Sequence, residues 1–249
     1  VVDSEDLTLN VSRETLQENR TLRQIQTQLT KQILKELGRI ADDDATAYTA
    51  VWTEYGPVLK EGLSVDFKNK DQLVELCRFE SLKKGTEDAP ISLKQYLADK
   101  PEEQQAIYYI TGTSREQVAA SPHLEVFRKK GFDVLFLTDP IDEWVVKSIT
   151  EYEGVSLESV VHGNVDLDDD GDKRDEETNK ALQAAVEVVT KALGDKVSEV
   201  RLSGRLTETA SCLVSKEGDP GANMERIMRM LDERAQERHR TAARDDGQV

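Results

Sequence analysis

Two short apolar runs separated by a helical pattern constrain the fold of this chain more than any other feature. Residues 106–111 and 134–138 are rich in β-branched and aromatic side chains, and apolar residues recur between them at helical spacing around a break at Pro122. Buried strands joined by a helical crossover form a βαβ unit, whose parallel sheet is covered on both faces. A helix carrying Trp144 and a strand within residues 155–162 follow, so we predict an α/β fold containing a small αβα sandwich.

A helical segment is predicted ahead of this sandwich. Apolar residues recur every three or four positions over residues 16–40, which indicates one stripe on a long helix. We expect this helix to end near Gly38 and the acids at 42–44, and we expect those acids to cap the next helix. The next stripe is aromatic and reaches Gly56, a residue suited to a helix stop.

An acidic segment marks the boundary after the sandwich. Residues 166–177 contain eight acids against Lys173 and Arg174, a local charge of −6, with almost no apolar periodicity. Self-repulsion and the lack of burial predict a solvated linker. The predicted divisions are the end of a large middle subdomain with a helical connector (1–89), the αβα sandwich (90–164), the acidic linker (165–176) and a partial α+β C-terminal domain (177–249).

The last division is predicted to mix helices and strands. Apolar residues at helical spacing lead up to Gly194, which predicts a helix that stops there. Alternating patterns at 197–202 and 212–214 predict two strands. A final helix is predicted from about Pro220 to Gln236, and it gives this part its mixed α+β character.

Composition excludes several classes of function. The formal charge is −16, from 33 basic and 49 acidic residues, whereas nucleic-acid and anionic-membrane surfaces need clustered Lys and Arg. Two widely separated cysteines fit a reducing compartment, which predicts a cytoplasmic protein. Three scattered histidines and the lack of a glycine-rich phosphate loop predict neither a metal site nor a nucleotide pocket in this chain.

The acidic linker resembles a calcium-binding loop. Five residues match the EF-hand pattern: Asp166, Asp168, Asp170, Gly171 and Glu177. An acid-rich linker meets such a pattern by chance, the sequence has no partner loop, and Lys173 stands where the loop normally packs an apolar side chain. We therefore favour the solvated linker, with calcium binding as the alternative.

The start of the first long helix carries an unusual arginine. Ser12 is a preferred N-cap, Arg13 falls in the first turn and Gln17 lies one turn further on. An arginine at this position opposes the helix dipole, because a helix N-terminus favours anions. Arg13 is either a solvated charge or a group that binds an anion supplied from elsewhere.

All three methionines of the chain fall in the last predicted helix. Met224, Ile227, Met228 and Leu231 form one stripe, and Met230 lies to its side. A methionine-rich stripe either fills a core or forms a soft surface that accommodates varied partners. Spacing alone favours the core, and both interpretations stay open.

Eight segments together carry a resemblance to a known family: residues 3–17, 55–62, 76–79, 107–111, 121–125, 141–144, 200–202 and 205–207. They have the order and spacing of the ninety-kilodalton heat-shock chaperones, and the chain resembles the bacterial form over nearly its whole length. The resemblance implies an excerpt from the second part of the family's middle domain into the first part of its C-terminal domain. The N-terminal nucleotide-binding domain and the C-terminal dimerisation bundle are not recognisable.

The resemblance implies an ATP-dependent cytoplasmic chaperone that assists the folding and remodelling of client proteins. It implies that Arg13 and Gln17 contact the terminal phosphate of ATP, which the N-terminal domain binds together with Mg, so this part alone should hydrolyse no ATP. The implied partners are unfolded or partly folded clients, co-chaperones and the second subunit of a homodimer, although this part alone is expected to be monomeric. The implied client-binding residues are Trp144, Met224, Ile227, Met228 and Leu231. The alternative from another class is a non-enzymatic acidic scaffold or a calcium-responsive interaction module.

Overall fold

The computed structural model describes residues 20–162, 176–215 and 223–230. Its helical segment consists of α1 (Arg20–Asp43), α2 (Ala45–Val65) and α3 (Lys70–Leu76). Asp44 separates the first two helices, and its carboxylate accepts a hydrogen bond from the Ala47 backbone N–H at 2.9 Å. The expected acidic cap is therefore confirmed.

The predicted end of the first helix is confirmed at the acids, because α1 ends at Asp43, whereas the helix stop predicted at Gly56 is wrong. α1 passes through Gly38 and ends within the acids that follow, and α2 passes through Gly56 and Pro57. A Cβ on Gly56 would lie 3.0 Å from the ring of Trp52, so this glycine makes room for the indole instead of ending the helix. Pro57 removes a single backbone hydrogen bond, and α2 continues through it with buried residues on both sides, among them Tyr48 and Leu63.

A five-stranded sheet forms the centre of the sandwich. Its strands are β1 (Glu80–Ser81), β2 (Ile107–Thr111), β3 (Leu135–Leu137), β4 (Glu151–Tyr152) and β5 (Val155–Ser159). The strand order is β1-β3-β2-β5-β4, with β2 parallel to both β3 and β5 and with antiparallel strands at the two edges. The predicted βαβ unit and the later strand are confirmed.

Helices cover both faces of the sheet. They are α4 (Leu93–Ala98), α5 (Arg115–Ala119), α6 (Glu125–Lys130) and α7 (Asp142–Ser148). Ile107 of β2 packs in a core shared with α1 to α4 and α7, whereas Tyr108 and Ile110 pack against α5 and α6. Successive side chains of β2 therefore pack against opposite layers of helices, which confirms the predicted αβα sandwich. The core that contains Ile107 includes residues on both sides of the boundary predicted at residue 89. The predicted domain boundaries stay predictions.

The C-terminal part matches its predicted helix but not its predicted strands. α8 (Glu176–Leu193) ends at Gly194, whose φ of +51° suits glycine. Over residues 197–214 the structure describes no strand, and Ser215 alone forms an isolated bridge, to His162. Leu213 is 77% exposed, so the alternating pattern here lacks the partner strand that a ladder requires.

A further helix spans residues 223–230, and we call it the methionine helix. The predicted flanks of this helix lie outside the described residues. Within the described ranges, no helix is both long and apolar enough to cross a membrane.

Candidate functional site

The structure describes only some of the site residues that the sequence predicts. Trp144, Met224, Ile227 and Met228 are described, whereas Arg13, Gln17 and Leu231 lie outside the described residues. The calcium-like loop also lies outside them, apart from its last two positions, which begin α8. Among the described residues, no group of three or more His, Cys, Asp or Glu side chains could hold a metal ion.

Trp144 lies in the first turn of α7 and is half-buried. Its backbone N–H donates to the Ile141 carbonyl at 2.9 Å, which fixes the start of the helix. The next residue, Val145, is buried in the core beneath the sheet. Trp144 therefore combines an anchored backbone with an indole that solvent partly reaches.

The methionine helix buries a narrower edge than the sequence predicts. Met224 and Ile227 are only 7% and 6% exposed, whereas Met228 and Met230 are 55% and 42% exposed. The core interpretation holds for Met224 and Ile227, because the two residues share the face that turns inward. The interpretation as an accessible surface holds for Met228, which lies at the border of that face. The helix thus has a docked edge and an accessible one.

A hydrogen bond joins the methionine helix to the first turn of α7. The Asn223 side-chain Nδ2 donates to Glu143 Oε1 at 2.8 Å, and Arg226 donates to the Asn223 Oδ1 at 2.9 Å. Glu143 is buried and directly precedes Trp144. The fold therefore brings two predicted client-binding elements together across 80 residues of sequence.

A buried ion cluster lies beneath the same turn of α7. Lys60 Nζ of α2 lies 2.7 Å from Asp139 Oδ2 and 2.8 Å from Asp142 Oδ1, and the rings of Trp52 and Phe79 are 5.6 and 5.8 Å away. Burial alone would lower the pKa of Lys60, but the attraction of Asp142 and Asp139 raises it above its ordinary value. Burial raises the pKa of Asp142 to about 6, against the opposing attraction of Lys60.

Sequence reasoning missed this cluster, although one signal pointed to it. Lys60 lies four residues after Gly56 and three before Leu63, on the buried stripe of α2. A charge on a buried stripe requires partners, because an unpaired buried charge is costly. The identity of the partners depended on long-range packing that periodicity does not reveal.

A second contact joins the sandwich to the C-terminal part. The Glu125 carboxylate of α6 accepts hydrogen bonds from the backbone N–H groups of Thr207 at 2.6 Å, Glu208 at 2.8 Å and Thr209 at 3.1 Å, and from the Thr209 hydroxyl. Arg205 donates to the His162 carbonyl at 3.0 Å and to that of Val160. Segment 203–209 is therefore held against the sandwich without forming a strand.

We expect Glu125→Gln to speed amide hydrogen exchange at residues 207–209. The hydrogen bonds from the Glu208 N–H, the Thr209 hydroxyl and the Thr207 N–H lower the pKa of Glu125 to about 2. The carboxylate should therefore keep these amides protected above its ordinary pKa near 4.5, and the protection should be lost as the pH falls through about 2.

Exchange should be compared with amides of β2 in the same protein, whose protection should not change. Glu54→Gln, at an exposed position on α2, is the matched control. Unchanged exchange at 207–209 in Glu125→Gln would show that the carboxylate does not hold this segment.

Comparison with known proteins assigns the family. The Hsp90 protein family model matches residues 1–245. The chain is 45% identical over 245 residues to the chaperone protein HtpG of Geobacter sulfurreducens, covering 96% of this chain and 38% of that protein. It is also 45% identical to HtpG of Aromatoleum aromaticum, covering 94% of this chain and 38% of that protein. The chain belongs to the Hsp90 family, as the resemblance implied.

A solved structure supports the same assignment. The fold is similar to the middle domain of a Plasmodium falciparum heat shock protein, with a TM-score of 0.52 and 29% identity, over 57% of this chain and 60% of that chain. The chain spans 38% of the length of the two HtpG relatives. These matches favour the chaperone interpretation over the acidic scaffold or calcium-responsive module.

Proposed function

We propose that this chain is the client-binding part of an ATP-dependent, HtpG-type chaperone. The proposed surface combines Trp144 with the accessible edge of the methionine helix, Met228 and Met230. The hydrogen bond between Asn223 and Glu143 carries this proposal, because it brings the helix to the residue that precedes Trp144.

The chemistry of this surface suits partly folded polypeptides. Methionine is flexible and polarisable, so it adapts to side chains of different shape, and an indole offers a large apolar face with one hydrogen-bond donor. Met224 and Ile227 support the surface from beneath through their burial. The net charge of −16 opposes self-association of a protein that exposes such apolar groups.

The remaining functions belong to the longer protein that the HtpG relatives represent. We propose that Arg13, supported by Gln17, contacts the terminal phosphate of ATP bound with Mg by a separate N-terminal domain. We also propose that the whole protein is a cytoplasmic homodimer that binds clients and co-chaperones. We further propose Leu231, which lies outside the described residues, as a client-binding residue.

We expect Trp144→Ala to weaken client binding about tenfold or more. Aromatic anchors at interfaces commonly contribute about 2 kcal/mol or more, and about 1.4 kcal/mol corresponds to tenfold in Kd. Binding of this chain to fluorescently labelled, reduced and carboxymethylated α-lactalbumin, which stays partly unfolded, would be measured by anisotropy. Met228→Ala should weaken binding in the same direction.

Two exposed apolar residues elsewhere provide matched controls. Phe67 is 75% exposed after α2 and Val188 is 67% exposed on α8, so Phe67→Ala and Val188→Ala test general loss of apolar surface. Both controls should bind the client like the wild type. Wild-type binding by Trp144→Ala and Met228→Ala would contradict the proposed surface.

A further inference from the structure

Three parts of the chain meet at the side chain of Lys60. The side chain belongs to α2 and is only 6% exposed, that of Asp142 in α7 is 1% exposed, and that of Asp139 in the preceding loop is 43% exposed. The two carboxylates reach the same ammonium group from consecutive parts of the backbone. Lys60 is therefore the point at which α2 holds the start of α7.

Hydrogen bonds close the loop before α7 upon itself. The Asp139 N–H donates to Asp142 Oδ2 at 3.0 Å, and the Asp142 N–H donates to the Asp139 carbonyl at 2.9 Å. Residues 139–142 therefore form a small ring whose two carboxylates both face Lys60. An ammonium that contacts both carboxylates fixes the ring in position and in orientation, which an apolar side chain of similar size would not do.

Stability alone does not require a charge at this position. Removing two or three charges from water costs several kcal/mol per ion, and buried ion clusters are often replaceable by apolar side chains without loss of stability. A buried polar cluster can instead specify one geometry among several that pack equally well. The residues that would benefit are those whose position follows directly from that of Asp142.

Two such residues come next in the chain. Glu143 accepts the hydrogen bond from Asn223 of the methionine helix, and Trp144 follows it. A small rotation of the first turn of α7 would displace both. We propose that Lys60 is a positioning residue that, through Asp139 and Asp142, sets the orientation of Trp144 and the docking of the methionine helix. The consequence for client binding rests on the proposed function above.

The test uses the fluorescence of Trp144. The chain has two tryptophans, so a Trp52→Phe background leaves Trp144 as the single reporter and keeps an aromatic ring beside Lys60. In this background Lys60→Met/Asp142→Asn removes the charges of the pair together, which avoids leaving a fully buried carboxylate without its cation. Acrylamide quenching of Trp144 should change by about twofold, and client Kd should rise toward the value of Trp144→Ala.

Asp139→Asn provides a second, milder variant. It keeps the Lys60–Asp142 pair and removes one carboxylate at a half-exposed position, so it should fold. It should change the quenching of Trp144 in the same direction as the double variant, by a smaller factor.

A structural control separates positioning from general loss of stability. Tyr48 is in the same core and its hydroxyl donates to the Leu76 carbonyl at 2.7 Å, far along the chain from α7. Tyr48→Phe should lower Tm without changing the quenching of Trp144. If acrylamide quenches Trp144 to the same extent in Lys60→Met/Asp142→Asn and in Tyr48→Phe, the positioning role is overturned.

The outcomes distinguish this inference from the proposed function. One outcome is that the double variant changes the quenching of Trp144, while both the double variant and Trp144→Ala bind the client like the wild type. This outcome would support the positioning role and reject Trp144 as a client residue. Unchanged quenching, with weak client binding by Trp144→Ala, would reject the positioning role and support the client surface.

Discussion

Arg13→Ala is expected to slow ATP turnover about tenfold to a hundredfold in a chimera where this chain replaces the matching segment of Geobacter sulfurreducens HtpG. A hydrogen bond to a charged group contributes about 1.5–3 kcal/mol, and about 1.4 kcal/mol in the barrier corresponds to tenfold in rate. The guanidinium offers a planar fork of donors that matches phosphate oxygens. Turnover would be measured as steady-state phosphate release.

The split between kcat and nucleotide affinity tests the role of Arg13 further. A contact formed only in the closed, reactive state lowers kcat and leaves nucleotide affinity nearly unchanged. Arg13→Lys should rescue turnover poorly, because an ammonium lacks the planar fork. Gln17→Ala should have a smaller effect in the same direction, because a neutral hydrogen bond contributes less.

Two controls complete this experiment. This chain alone should hydrolyse no ATP above background, because its sequence has no phosphate-binding loop. Arg23→Ala changes an arginine within α1 and should leave turnover in the chimera at the wild-type rate. Wild-type turnover by Arg13→Ala would show that Arg13 does not contact the ATP phosphate.

The sandwich could be predicted from the sequence because its strands are buried on both faces. Such strands leave short continuous apolar runs, here at 106–111 and 134–138, and a helical crossover between two of them implies parallel pairing. The structure has this pairing in β2 and β3, with Tyr109 opposite Leu135. Local pattern and tertiary packing agree in this region, so the pattern alone was sufficient to predict the sandwich.

Local pattern was insufficient where neighbours decide the outcome. Gly56 resembles a helix stop, but the ring of Trp52 needs the space that a side chain would fill. The alternation at 197–202 resembles a strand, but a strand forms only beside a partner, and the described residues supply none there. In both places the outcome depends on a neighbouring group that lies outside the local pattern.

Local pattern was also insufficient to predict the contacts of the candidate site. The family resemblance suggested Trp144 and the methionine stripe, whereas the contact between Glu143 and Asn223 depends on two residues that lie 80 positions apart. The Lys60 cluster was equally hidden, since Asp139 is 79 positions further along the chain. Long-range polar contacts follow from the completed fold, and a single sequence reports only that a buried charge needs partners.

Met224→Ala and Ile227→Ala are each expected to lower the free energy of unfolding by about 2–5 kcal/mol. Both side chains are buried, so truncation removes apolar burial and leaves a cavity. Met228→Ala should change stability by less than about 0.5 kcal/mol, because an exposed side chain has little packing to lose. Urea unfolding followed by circular dichroism would measure all three variants.

The contrast between these variants decides how the methionine helix can be studied. If Met224→Ala and Ile227→Ala are as stable as the wild type, the inward face of the helix is not docked, and the Asn223–Glu143 contact would not define a shared surface. If these two variants are destabilised as expected, a loss of client binding could result from unfolding as well as from a lost client contact. Client contacts should then be assigned from Met228 and Met230, whose exposed side chains can be changed while the docked edge stays intact.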